Sequence, residues 1–268
     1  MDVEKYVNSK AFIFFEWTYR LIIMNLLNLS LIITMSFGFW VLFIATQKMT
    51  YFYLAILLTL LGLIITSIAS FKTIKDLSGY RRSGLYKTYF SNLWFSFKDL
   101  WFIELLILIV YAFLLGSSVT YSLILNHEDF TYDFIGIVYT VGYWLDWVLL
   151  FFLTQAVISF WAVYSHFQMT KWNYIKASFY MSFKLFLPTL LAGIFFFLTP
   201  VLIIVLGLIL SPMLSLLLIS FFSLFGISLP QYLYFRMIKG KYAYLTKNPD
   251  DIQDFDKYEL EKENENEI

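Results

Sequence analysis

The sequence contains no cysteine and only two histidines among its 268 residues. Disulfides, zinc–thiolate sites and thiol nucleophiles are therefore excluded. His127 and His166 are too far apart for a His-Glu-x-x-His zinc site, and the chain has neither a Gly-x-Ser-x-Gly motif nor a phosphate-binding loop. The acidic residues that follow His127 do not have the spacing of a calcium or zinc loop. We therefore expect a protein that is not an enzyme and that holds no cofactor and no metal.

Charged residues are also scarce, at 14% of the chain against about 25% in soluble domains. The longest run without a charged residue or histidine covers residues 185–235, between Lys184 and Arg236. A hydrocarbon core of about 30 Å is crossed by roughly 20 helical residues. This run therefore predicts two membrane crossings, with a turn near Ser211-Pro212.

Four further apolar runs predict the remaining spans, at about residues 19–46, 51–71, 102–125 and 134–167. The predicted fold class is an all-α polytopic membrane protein with six transmembrane helices, formed by residues 1–247. Residues 248–268 carry nine acids and two lysines with few apolar residues. Such a composition predicts a disordered acidic cytoplasmic tail.

Two stretches next to predicted spans have the pattern of amphipathic helices, at residues 85–98 and 171–184. Each ends in Ser-Phe-Lys, and the two stretches align at an offset of 86 residues. We expect both to be elbow helices at the cytoplasmic interface, within a degenerate repeat of span, elbow and span. The interfacial elbow residues are Trp94, Phe97, Lys98, Trp172, Phe183 and Lys184.

A small set of polar residues lies within the predicted spans. It comprises Asn25, Asn28, Asp146 and Gln155. These side chains either form interhelical hydrogen bonds or line a polar path. We expect Asp146 to be hydrated at the outer interface, between Trp144 and Trp147, with burial as the alternative. We expect Glu104 to be an interfacial acid near Lys98, with a functional intramembrane carboxylate as the alternative.

The basic residues predict the orientation. With six spans and both termini in the cytoplasm, 18 of the 19 lysines and arginines lie inside and Lys48 alone lies outside. Cytoplasmic loops are enriched in these residues, so we expect a multi-pass protein of the cell membrane with cytoplasmic termini. Because the basic residues follow the membrane face, nucleic-acid binding is not expected.

Several segments resemble the YesL-like family of bacterial integral membrane proteins. They are Phe15-Glu16-Trp17 with Asn25-Leu26-Leu27, Tyr89–Trp101 with its Phe97-Lys98 pair, and Met169–Trp172 continuing through Pro188. The resemblance covers most of residues 12–240. One departure is that Ile65–Ala69 stands near the place of a Gly-Pro turn that is usual early in the family.

The YesL-like family has no established activity, and its members are often encoded beside carbohydrate-uptake systems. The resemblance implies an accessory or scaffold role in carbohydrate uptake, with the lipid bilayer and a carbohydrate importer or another membrane protein as partners. The alternative is a transporter or channel whose polar path lies near Asn25, Asn28, Asp146 and Gln155. The sparse charge within the spans favours the accessory role.

Overall fold

The structure is a computed structural model that describes residues 10–79, 84–127, 134–196, 212–245 and 253–254. The helices in these ranges are α1 (Lys10–Thr46), α2 (Met49–Gly79), α3 (Leu85–Leu125), α4 (Phe134–His166), α5 (Lys171–Lys184), α6 (Phe186–Phe196), α7 (Pro212–Phe225) and α8 (Ser228–Leu245). The described chain is 94% helical, which confirms the all-α class.

Among the described residues, four helices, α1 to α4, are long and apolar enough to cross a membrane. Two bent pairs, α5 with α6 and α7 with α8, raise the number of spans to six if each pair is one span. The chain is therefore a multi-pass helical membrane protein. The predicted turn at Ser211 lies outside the described residues, as does most of the acidic tail.

The acidic tail is described only at strand β2 (Gln253–Asp254), which pairs antiparallel with strand β1 (Phe167–Gln168). Asp254 lies opposite Phe167, and Gln253 lies opposite Gln168. The described residues include only these two of the tail, and its disorder stays a prediction.

The centre of the bundle is formed by one half of α2 and one half of α4. Residues 64–71 of α2 and 155–166 of α4 are buried without interruption. A helix that is buried on every side lies within a bundle, because a surface helix keeps one face in contact with solvent or lipid. Helix α3 packs against both of these central helices, and its packed face carries the polar residues described below.

Both helix bends lie four residues before a proline. Helices α5 and α6 meet at 96°, and α7 and α8 meet at 51°. Pro188 and Pro230 are each the third residue of the helix that follows the bend. A proline ring clashes with the carbonyl four residues earlier, which belongs to Lys184 in one case and to Gly226 in the other. The sequence position of each bend follows from this clash.

The first elbow differs from the prediction. Residues 85–98 are helical, but they continue without a break into the span, so α3 is one helix of 41 residues, about 60 Å long. At the offset of 86 residues, the position of Pro188 is occupied by Phe102, and no proline interrupts α3. The second elbow is a separate helix, α5, with the predicted limits.

Both elbows turn small polar side chains inward and aromatic side chains outward. Ser96 and Ser182 are buried, whereas Phe97 and Phe183 are exposed by 45% and 60%. The tryptophans are also exposed, and Lys98 and Lys184 lie on the outer surface. Aromatic side chains on the outer surface and small polar side chains inside the bundle are expected where the surroundings are lipid.

Candidate functional site

Helices α3 and α4 share a row of polar side chains that we call the polar seam. Its members are Asp99, Glu104, Tyr111 and Ser117 on α3 and Asp146, Thr154, Trp161 and Tyr164 on α4. Two hydrogen bonds set an antiparallel register: the Tyr111 and Thr154 hydroxyls are 2.8 Å apart, and Ser117 Oγ donates to Asp146 Oδ2 at 2.5 Å.

The sequence of α3 places these residues on one face. Leu100, Glu104, Ile107, Tyr111 and Leu114 follow the spacing of three and four residues that lines up one side of a helix. The residues between them, such as Leu105, Ile109 and Phe113, are exposed. The seam is therefore the packed face of α3, with lipid-compatible side chains on the opposite face.

Glu104 is the most deeply buried acid of the described chain, with 1% of its surface exposed. Neither carboxylate oxygen has a hydrogen-bond partner among the described residues. The prediction of an interfacial acid near Lys98 is therefore wrong. Six residues correspond to about one and two-thirds helical turns, so Lys98 lies on a different face of α3, where it is exposed.

Asp146 is also buried, with 8% of its surface exposed. The neighbouring Trp144 and Trp147 are exposed by 64% and 47%, as expected for tryptophans at the edge of a membrane. The preferred expectation of a hydrated Asp146 is wrong. On a helix, Trp144 and Trp147 are rotated from Asp146 by about 200° and 100°. Both tryptophans can therefore be exposed while the Asp146 side chain faces α3.

One end of the seam carries a cluster of charges. Lys72 Nζ lies 4.5 Å from the centre of the Phe95 ring and 5.2 Å from that of Tyr164, and Asp76 and Asp99 are close enough to interact with its charge. The Tyr164 hydroxyl is near Asp99 and Ser96, although it lacks hydrogen-bond geometry to either residue. The cation–π contacts of Lys72 therefore join α2 to α3 and α4 at this end of the seam.

Asn25 has a different environment, at the bend between α7 and α8. Its Nδ2 group donates to the carbonyls of Phe222 and Ser223 at 2.9 and 2.8 Å. Its Oδ1 atom accepts from the backbone N–H groups of Ile227 and Ser228 at 2.7 and 3.1 Å. One amide thus pairs backbone groups on both sides of the bend and attaches the bend to α1.

Asn28 lies where α1, α2 and α3 meet. Its Oδ1 atom accepts from Ser70 Oγ at 2.8 Å and from Tyr89 Oη at 2.7 Å. One turn away, Gln231 of α8 donates to the carbonyl of Ser67 at 3.2 Å. These contacts join four helices by hydrogen bonds, as polar side chains do within membranes.

Gln155 faces α6 rather than α3. Its Nε2 atom lies 3.2 Å from the place that a Cβ atom on Gly193 would occupy. The four residues predicted to share one path are thus divided: Asn25 and Asn28 bind elsewhere, Gln155 lies against α6, and Asp146 alone lies in the seam. Tyr111, which sequence reasoning missed, shares a heptad spacing with Glu104 that could have indicated it.

Among the described residues, no three histidines or acids are grouped closely enough to hold a metal ion. Comparison of the chain with protein-family models, curated proteins and solved structures gives no match. The resemblance to YesL-like proteins stays a prediction from the sequence motifs.

Proposed function

We propose that the protein moves a small ion or polar solute across the cell membrane, and that the polar seam is its path. The observation that supports this proposal is the burial of two acids, Glu104 and Asp146, in one helix interface. Ionisable groups are costly in hydrocarbon, and those found there mark ion paths and proton relays in many pumps and transporters. Tyr111 and Thr154 lie between the two acids and continue the polar row.

The proposed orientation follows from the basic residues, with both termini in the cytoplasm. The Asp99 end of the seam then faces the cytoplasm and the Asp146 end faces outward. The cysteine-free sequence allows a direct test, because a single cysteine at position 129 should react with an impermeant thiol reagent only from outside the cell. Labelling only from the inside would contradict this orientation.

The transport proposal is tested with purified protein in liposomes. A potassium gradient with valinomycin supplies the driving force, and internal dyes report protons and sodium as separate probes. We expect flux of at least one probe above that of protein-free vesicles, and at least a tenfold loss of it in Asp146→Asn and Thr154→Val. The matched control is Thr120→Val, because Thr120 is exposed on α3. Flux equal to that of empty vesicles for both probes, or unchanged flux in both seam variants, would contradict the proposal.

A second candidate is the accessory role in carbohydrate uptake implied by the YesL-like resemblance. The supporting observation is an apolar groove of about 310 Å³ between α1, α2 and α3, which Trp94 and Phe97 of the first elbow help to line. A transmembrane helix of an importer is the partner that this role implies. Its large apolar side chains would enter the groove.

A photoreactive amino acid at Phe97 tests the accessory role in intact cells. We expect it to crosslink to one membrane protein, identified by mass spectrometry after purification in gentle detergent. The control position is Phe113, which is 71% exposed on the same helix and is not among the residues that line the groove. Equal crosslinking at both positions, or crosslinking only to lipid, would count against this role.

A further inference from the structure

The register of the polar seam places Glu104 of α3 and Trp161 of α4 at the same level of the interface. Tyr111 and Thr154 are hydrogen-bonded, and Glu104 lies two helical turns before Tyr111 while Trp161 lies two turns after Thr154. Because α3 and α4 are antiparallel in this register, these two steps lead to the same level of the interface. Asp99 of α3 and Tyr164 of α4 are close to each other about one helical turn further towards the Lys72 end, in agreement with this register.

The two side chains are complementary in hydrogen bonding. The Trp161 Nε1–H group is buried, with no partner among the described residues, and so are both oxygens of Glu104. An indole N–H is a donor only, whereas an ionised carboxylate is an acceptor only. A protonated Glu104 can remain unpaired more easily than an ionised one, because burial of an unpaired charge is far more costly than that of a neutral group.

A proton fits this place better than a metal ion. Calcium and magnesium take six or more oxygen ligands, and the described residues offer no group of three acids or histidines. The titratable groups nearest in register are Asp99 and Tyr111 on α3, Lys72 on α2 and Tyr164 on α4. None of these donates a hydrogen bond to the Glu104 carboxylate.

We infer that Glu104 is the proton-binding group of the polar seam, and that the Trp161 N–H holds its carboxylate when the proton leaves. This inference rests on the proposed transport function, and it names the proton as the transported or coupled ion. Trp161 is a positioning residue, since it acts on the proton through Glu104.

Carbodiimide labelling tests the site without a transport measurement. Dicyclohexylcarbodiimide enters apolar regions and adds to a protonated carboxyl group, and the product rearranges to a stable acylurea with the mass of the reagent added. In the folded protein in mild detergent, we expect peptide mapping to find the adduct at Glu104 and its yield to fall as the pH rises. A water-soluble carbodiimide should not label Glu104. Labelling of Glu104 only after unfolding, or equally by both reagents, would overturn the proton site.

The role of Trp161 has its own readout. In Trp161→Phe, the pH at which labelling falls to half should move upward by about one unit or more, because the ionised carboxylate loses a hydrogen bond to a charged group. The control is Trp147→Phe, which removes an exposed tryptophan from the same helix. If labelling of Glu104 falls to half at the same pH in Trp161→Phe and Trp147→Phe, the role of Trp161 is overturned.

The labelling result and the flux result separate the two proposals. Glu104 labelled with this pH dependence in a protein without flux supports the proton site and contradicts transport. Flux that persists in Glu104→Gln at the wild-type level supports transport and contradicts the role of Glu104 in it.

Discussion

Replacement of Asn25 by leucine should destabilise the folded protein by removing the amide that pairs the α7–α8 bend. Four hydrogen bonds are lost, two to carbonyls and two from backbone N–H groups. Interhelical hydrogen bonds in membranes contribute about 0.6 kcal/mol each on average, which gives about 2.4 kcal/mol for the four. Leucine has the same side-chain branching as asparagine, but its methyl groups are larger than the amide groups that they replace, so crowding at the bend adds to the destabilisation.

The loss should exceed this sum, because the N–H groups of Ile227 and Ser228 lose their acceptor, whereas the Phe222 carbonyl still accepts from the Gly226 N–H. An unpaired buried backbone group costs about 1–3 kcal/mol, and the N–H groups of Ile227 and Ser228 are both buried. We therefore expect a decrease of about 2.5–5 kcal/mol in the free energy of unfolding. Even the lower value corresponds to about a 60-fold change in the unfolding equilibrium.

The assay is reversible unfolding in mixed micelles with increasing dodecyl sulfate, followed by circular dichroism. The matched control is Asn126→Leu, because Asn126 is exposed and makes its side-chain contacts with one residue, Ser122. We expect this control to change the free energy of unfolding by less than about 0.5 kcal/mol. If Asn25→Leu folds and its free energy of unfolding differs from that of wild type by no more than that of Asn126→Leu does, the amide does not stabilise the bend.

Two other structural predictions use paired variants and the same unfolding assay. Gly62→Ala should destabilise the protein, because a Cβ at Gly62 would lie 3.2 Å from the backbone of Ile32. Gly116→Ala should instead stabilise α3 by up to about 1 kcal/mol, because a Cβ there meets nothing within 4 Å. Equal changes in the free energy of unfolding would refute the close approach of α1 and α2. Phe102→Pro should lower the free energy of unfolding by at least about 3 kcal/mol, since it breaks the continuous helix α3. Pro188→Ala should lower it by less, because the chain is already bent at this proline. The reverse order would refute this account of the elbows.

The helices could be predicted from the sequence because long apolar runs and rare charges define them. The limits of α5 and nearly those of α4 follow from such patterns. The continuity of α3 could also have been predicted. The repeat aligns Phe102 with Pro188, so the sequence itself indicates which elbow contains a break.

The contacts of the polar residues could not be predicted in the same way. Asn25 binds backbone groups about 200 residues away, and its partner is a bend whose contacts depend on the packing of three helices. Glu104 was placed near Lys98 by sequence distance, although rotation about the helix axis separates them. Residue spacing alone defines a face of a helix, but it does not say which neighbour that face contacts.

Cysteine accessibility along α3 tests the central claim, that the seam is a path, most directly. Single cysteines at Ile107, Tyr111 and Leu114 face the seam, whereas cysteines at Ile109 and Phe113 face outward. The account predicts that a small, charged methanethiosulfonate reagent reacts with the first three positions and not with the other two. Denaturation should make all five equally reactive. If the seam positions do not react in the folded protein, the α3–α4 interface is a dry packing contact and not a path.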